Sequence, residues 1–188
     1  MKVSRERAAQ NRERIVEAAA QLFRERGFDG IGVADLMNEA GLTHGGFYGH
    51  FSSKDDLIAE ASARALTRSL MLLSDLAERA PDDPLSAIAR AYLNNKHRDE
   101  PGTGCVLAAL GSDVSRQGPA VRRAVTDNMR VVIDLLANLV RGKSKSAKRQ
   151  KVISAYATLV GAMIMARAVD DRALSQEILD AVLATVKS

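Results

Sequence analysis

Four side chains in this chain carry the chemistry most used for nucleophilic or metal work: His44, His50, His97 and a single cysteine, Cys105. Their spacing gives them little to do together. On a helix of about 3.6 residues per turn, His44 and His50 stand roughly 240° apart, on different faces. His97 is remote from both, and no acid–His–Cys group has metal-ligand spacing, so neither metal nor cofactor is expected. A Cys105–His97 nucleophile pair has no orienting third residue beside it. Gly-x-Ser-x-Gly and phosphate-loop glycine patterns are also absent. These residues argue against an enzyme.

A different chemistry is concentrated between Gly41 and Lys54. Thr43, His44, Gly45 and Gly46 are small or polar and open a short element, where backbone and side chains can approach phosphates and base edges. Phe47 and Phe51, four residues apart, supply an apolar inner face. Tyr48, His50 and Lys54 offer hydroxyl, imidazole and ammonium donors outward. A short helix, a glycine turn and a second short helix make the helix–turn–helix, whose second helix enters the DNA major groove.

The elements that must carry this run can be read from periodicity. Ile15, Ala18, Ala19, Leu22 and Phe23 mark one face of a helix over about 8–26, ended by Gly27. A short helix spans about 33–40, with Val33, Leu36 and Met37 apolar. Ser53 reads as the N-cap of a long helix over 54–78, with Asp55 and Asp56 in its first turn. Pro84 opens a helix reaching His97, and further helices are predicted over about 105–112, 119–141, 147–169 and 174–187. The fold class is all-α, with about nine helices and no strand. The helix over 147–169 is apolar on more than one face, so it needs cover from more than one side, and a partner subunit would supply it.

Composition agrees. Of 188 residues, 46% are hydrophobic, 27% charged and only 4% aromatic, with no Trp; this suits helices and a buried core. One cysteine excludes an internal disulfide and fits a reducing cytoplasm. The opening MKVSRERAAQNRER lacks the apolar stretch of a secretion signal, and Leu159–Ala166 is too short to cross a bilayer. No membrane partner is expected.

The net charge of +4 hides an uneven distribution. Residues 1–14 hold five bases and two acids; residues 15–60 hold three bases and eight acids. Residues 141–151 hold six bases and no acid, the pattern of a solvated loop or helix end, with a nucleic-acid patch as the alternative. On charge alone the stretch with the glycine turn is a poor DNA binder.

The run NRERIVEAAAQLFRERGFDGIGVADLMNEAGLTHGGFYGHFSSKDDLIAEA nonetheless resembles the N-terminal domain of the TetR (tetracycline repressor-like) family of bacterial transcription regulators, strongly over 11–61. Beyond residue 61 the likeness is one of layout. The resemblance implies a basic arm at 1–10, a DNA-binding domain at 11–55 and a helical ligand-binding and dimerisation domain at 56–188. It implies a homodimer, paired through the last two helices, that binds a palindromic operator and leaves it when a small molecule enters the C-terminal domain. Thr43, His44, Gly45, Gly46, Tyr48, His50 and Lys54 fall on the family's DNA-contacting positions. Gly32 departs from the Thr or Ser common before the second helix, so a cap weaker by a few tenths to about 1 kcal/mol is expected.

The inducer is not named by the residues. Tyr92, Asn94, Asn128 and Tyr156 are candidate anchors in an apolar pocket, and Met71, Met129, Met163 and Met165 read as core. Cys105 follows Pro-Gly-Thr-Gly at the start of a helix, where the dipole favours a thiolate. GCVLAALGSDV also looks like the segment of family members that respond to electrophiles or oxidants. A repressor sensing through Cys105 is therefore the alternative to an apolar-ligand sensor, with a small helical enzyme or adaptor a distant third.

Overall fold

A computed structural model describes residues 5–186 of the chain. Those residues form nine α-helices and two 3-10 turns, with no strand. In order they are α1 (Arg5–Arg26), α2 (Val33–Glu39), a 3-10 turn (His44–Gly49), α3 (Lys54–Arg79), α4 (Pro84–Tyr92), α5 (Asn95–Asp99), a second 3-10 turn (Pro101–Thr103), α6 (Val106–Ser115), α7 (Pro119–Leu139), α8 (Lys145–Ala168) and α9 (Arg172–Val186). Helix α1 starts at Arg5, earlier than periodicity suggested. Residues 5–10 of the expected arm are thus helical, and residues 1–4 lie outside the described residues.

The local signals act as the chemistry requires. Gly27 takes φ +76° after α1 and donates its N–H to the Phe23 carbonyl at 2.9 Å, the left-handed stop that a Cβ would strain. Gly32 precedes α2 in an extended conformation and forms no side-chain cap. Ser53 Oγ accepts from the Asp56 N–H at 3.1 Å and starts α3.

One expected helix is broken. The segment after Pro84 does not run to His97: it stops at Tyr92, and Asn94 turns extended to cap α5. Asn94 explains the break. Its Oδ1 accepts from the His97 N–H at 2.9 Å, while its Nδ2 donates to the Ala91 carbonyl at 2.7 Å. An asparagine that satisfies both helix ends competes with a continuous helix.

Two apolar cores result, and α3 and α7 pass through both. The first gathers Ile15, Phe23, Phe28, Met37, Phe47 and Phe51 with Leu57, Ala61 and Leu66 of α3, and is completed by Val106, Leu110, Val114, Val121 and Val125. The second holds Leu73, Ile88, Tyr92, Cys105, Leu136, Val152, Met163 and Leu179. Ion pairs Arg12–Glu60, Arg64–Glu13 and Arg68–Glu17 tie α1 to α3 along the surface. Such exposed pairs are each worth at most about 1 kcal/mol, so register comes mainly from the apolar faces.

Helix α8 buries Val152, Leu159, Ala162, Met163 and Ala166 and leaves Ile153, Ile164 and Met165 exposed; Leu174 of α9 is exposed as well. Met71 and Met165 stand in solvent and not in the core, whereas Met163 is buried. By length and composition α8 alone among the described residues could cross a membrane, at mean hydropathy 1.2. Here it packs on α7 and α9. Of the basic run, Arg141 and Lys143 are exposed between α7 and α8, while Lys145, Lys148, Arg149 and Lys151 lie in the first two turns of α8, where Arg149 pairs with Asp134.

Candidate functional site

The polar run of the sequence forms one exposed edge. Gly41 takes φ +68° and donates to the Asn38 carbonyl at 2.8 Å; Leu42 then donates to the Met37 carbonyl at 2.8 Å. This reverses the chain after α2 and brings Thr43 to the start of the 3-10 turn. Gly46 donates to the Thr43 carbonyl at 3.0 Å. A Cβ at Gly45 or Gly49 would meet nothing within 4 Å, so that face is open. Thr43, His44 and Gly45 are exposed, and His50 and Lys54 half-buried.

Beneath that edge the turn is anchored by rings. Phe47 is buried and stacks on Phe51 with centroids 5.6 Å apart. The Arg12 guanidinium lies 4.4 Å from the Phe51 centroid, a cation–π contact from α1. Tyr48 meets Phe47 edge-on at 5.3 Å yet is 72% exposed. Tyr48 is thus the one large ring of this turn left open to solvent.

The second core contains a cavity of about 190 Å³. Its apolar wall is Leu72, Leu73, Leu76 and Ile88; its polar end is Tyr92, His97, Cys105 and Tyr156, with Asn94 and Lys96 on the rim. Of the four anchors expected from the sequence, Tyr92, Asn94 and Tyr156 therefore come together, with Cys105. Asn128 sits half-buried in the middle of α7 and does not line this space.

Cys105 is the residue before α6 and is only 8% exposed. Its N–H donates to His97 Nε2 at 2.9 Å, and its sulfur lies 3.9 Å from the Tyr156 hydroxyl. His97 Nδ1 lies 2.8 Å from the Tyr92 carbonyl and must carry the ring proton to donate to it. The ring is thus held neutral with both nitrogens occupied. Burial pushes its pKa down, which the Tyr92 carbonyl opposes and Arg167 reinforces. Burial likewise pushes the Tyr92 and Tyr156 hydroxyls up, so both stay protonated.

Sequence reading missed two arginines. Arg24 falls on the polar side of α1 by periodicity, yet it is 9% exposed. Its Nε donates to the Gly102 carbonyl at 2.8 Å and its Nη2 to the same oxygen. Gly102 presses on α1 so closely that a Cβ there would strike Gln21 and Glu25. Two residues on, Gly104 and Cys105 line the cavity, so Arg24 fastens the cavity's wall to the first helix. Arg167 donates from Nε to the Arg98 carbonyl at 3.1 Å and from Nη2 to the His97 carbonyl. Its Nη1 is buried without a partner. Only a Gly-rich bend before Cys105 hinted at either contact.

The chain has relatives among known proteins in both sequence and fold. Residues 15–61 match the family described as bacterial regulatory proteins, tetR family. The HTH-type transcriptional repressor NemR of Escherichia coli is 29% identical over 129 residues, 67% of this chain and 65% of that protein. The HTH-type transcriptional regulator AcrR of Shigella flexneri is 28% identical over 91 residues, 48% of this chain and 42% of that protein. These matched stretches span less than two thirds of either relative. The crystal structure of E. coli NemR in its reduced form aligns over 95% of this chain and 96% of its own, at 26% identity and TM-score 0.78. A TetR-family regulator from Agrobacterium tumefaciens shares the fold over 95% of this chain and 98% of its own, at 24% identity and TM-score 0.75. From the glycine turn to the all-helical body, the chain is similar to the tetR family of bacterial regulatory proteins, in sequence over residues 15–61 and in fold over nearly its full length.

Proposed function

We propose that the chain is a sequence-specific DNA-binding transcriptional regulator, a repressor that leaves a palindromic operator when a small molecule enters the body cavity. The observation that carries this is the exposed edge Thr43–His50 on a sealed aromatic base, with Tyr48 presented outward. Thr43, His44, Gly45, Gly46, Tyr48, His50 and Lys54 are the contacts to the groove and its phosphates. The acidic surroundings do not forbid this, because backbone N–H groups and hydroxyls also donate to phosphate, beside Lys and Arg. Residues 1–10 would add charge along the backbone, 11–55 would read the site, and 56–188 would hold the ligand and the partner.

A homodimer accounts for the exposed apolar face of Ile153, Ile164, Met165 and Leu174 on α8 and α9. Two heads then meet half-sites about 34 Å apart, or a multiple of that, and a ligand that shifts α3 or α1 breaks the match. Such a regulator works in the cytoplasm, where its DNA is.

Fluorescence anisotropy on DNA upstream of the chain's own gene tests the reading. Binding should weaken steeply with salt, and deleting residues 1–9 should flatten that slope. Tyr48→Ala should lower affinity at least tenfold without changing stability. Salt-independent binding, or an unaffected Tyr48 variant, overturns the assignment. The place of Cys105 on the cavity wall favours one second reading, release through thiol modification. Operator release by an alkylating agent that persists in Cys105→Ser ends it.

A further inference from the structure

At the polar end of the body cavity the tyrosine hydroxyls face one weak side-chain acceptor, the Cys105 sulfur. Tyr92 is 9% exposed and its hydroxyl is buried with no hydrogen-bond partner. The Tyr156 hydroxyl has only the Cys105 sulfur, at 3.9 Å. Arg167 lies against Gly104, which lines the cavity: a Cβ at Gly104 would sit 3.2 Å from its Nη2. That guanidinium touches two backbone carbonyls, forms no ion pair among the described residues, and keeps one buried nitrogen unpaired.

The acceptors nearby are engaged elsewhere. His97 Nε2 receives the Cys105 N–H and Asn94 Oδ1 receives the His97 N–H. The Ser69 and Thr103 hydroxyls donate to the carbonyls of Ala65 and Glu100, and neither hydroxyl accepts from Tyr92 or Tyr156. No carboxylate lines the cavity, while Lys96 stands on its rim. An unpaired buried hydroxyl is expensive to keep, at about 1–3 kcal/mol. Ser62 Oγ is unpaired too, but the crevice beside it, at about 0 Å³, has no room for a water. Tyr92 is unpaired beside space.

The space limits the occupant. A cavity of about 150 Å³ admits benzene, so about 190 Å³ suits one ring with a short substituent. The wall on the α3 and α4 side is Leu72, Leu73, Leu76 and Ile88, which suits the ring and not a second polar group. The missing partner is therefore an oxygen acceptor at one end of a small apolar body, and the uncompensated cations favour a negative one.

We infer that the cavity takes a small apolar carboxylic acid of about one ring, its carboxylate accepting from the Tyr92 and Tyr156 hydroxyls with Arg167 and Lys96 supplying the balancing charge. This rests on the reading of the cavity as the effector site and narrows that reading to one ligand class. Neither tyrosine ionises to meet the anion, because burial holds both protonated.

Isothermal titration of the intact protein with benzoate, benzyl alcohol and benzylammonium separates the possibilities. Benzoate should bind at least tenfold more tightly than the other two. Tyr92→Phe, which keeps the ring and its packing, should lower benzoate affinity about tenfold and leave benzyl alcohol unchanged. Arg167→Met should act in the same direction. Equal binding of benzyl alcohol, tighter binding of benzylammonium, or indifference of benzoate to Tyr92→Phe overturns the carboxylate assignment while the cavity stands. Binding of none of the three overturns both. Benzoate binding that leaves operator affinity unchanged keeps the ligand class and removes the effector role.

Discussion

The two cores share α3 and α7 yet close to different degrees. Around the recognition turn, Phe23, Phe28 and Phe47 are fully buried, and the crevice between α1, α3 and α6 is closed to water. In the body, the same kind of helix packing leaves a cavity, an unpaired tyrosine hydroxyl and an unpaired guanidinium nitrogen. The difference teaches where each half places its precision. A reader of base edges needs one fixed geometry, so its rings stack without space. On the function proposed above, a receiver stays incomplete until its ligand arrives, which accounts for the unmet hydrogen bonds of the body.

The sharpest way to break the contrast is to open a hole in the closed core. Phe47→Ala should destabilise the protein by about 3–5 kcal/mol and abolish operator binding, as read by urea unfolding and anisotropy. The loss should exceed that of any single cavity-lining substitution; a smaller loss would mean the head relaxes as readily as the body.

The next effect lies on the link between the halves. Arg24→Met removes both hydrogen bonds to the Gly102 carbonyl and leaves that oxygen unpaired, at a cost of about 1–3 kcal/mol. The more telling readout is coupling: benzoate should still bind the variant but release operator DNA less effectively. Equal release would show that α3, and not α1, carries the signal.

The smallest effect belongs to the body alone. His97 has its pKa depressed in the folded chain, chiefly by burial. Its contribution is therefore present above the ordinary histidine value of about 6.5 and is lost as pH falls through the lower folded value. Urea unfolding at successive pH values should show stability declining below about 6.5, and His97→Gln should shallow the decline. A decline unchanged in His97→Gln would place the titrating group elsewhere.

How much of this the sequence made legible follows from distance along the chain. The glycine turn at Gly41, the Phe47–Phe51 pair and the Ser53 cap act within a few residues of one another, so their spacing alone disclosed them. The cavity draws on residues from Ser69 to Tyr156. Residue type suggested Tyr92, Asn94, Tyr156 and Cys105, but type equally suggested Asn128, which α7 does not bring to the cavity. Periodicity says which face of a helix is buried and not which faces of different helices meet. His97 was hidden because its role depends on the break at Asn94, which looked like continuous helix. Arg24 was hidden because a charged residue off the apolar stripe ordinarily means solvent, and its carbonyl partner lies 78 positions away.

The first core closes only when Val106, Leu110, Val114, Val121 and Val125 arrive. In genetic terms the proposed DNA-reading module is therefore not a detachable cassette. A nonsense mutation shortly after the recognition turn yields a null allele and not a permanently bound repressor. On the ribosome, too, the reader waits for about two thirds of the chain before it can set.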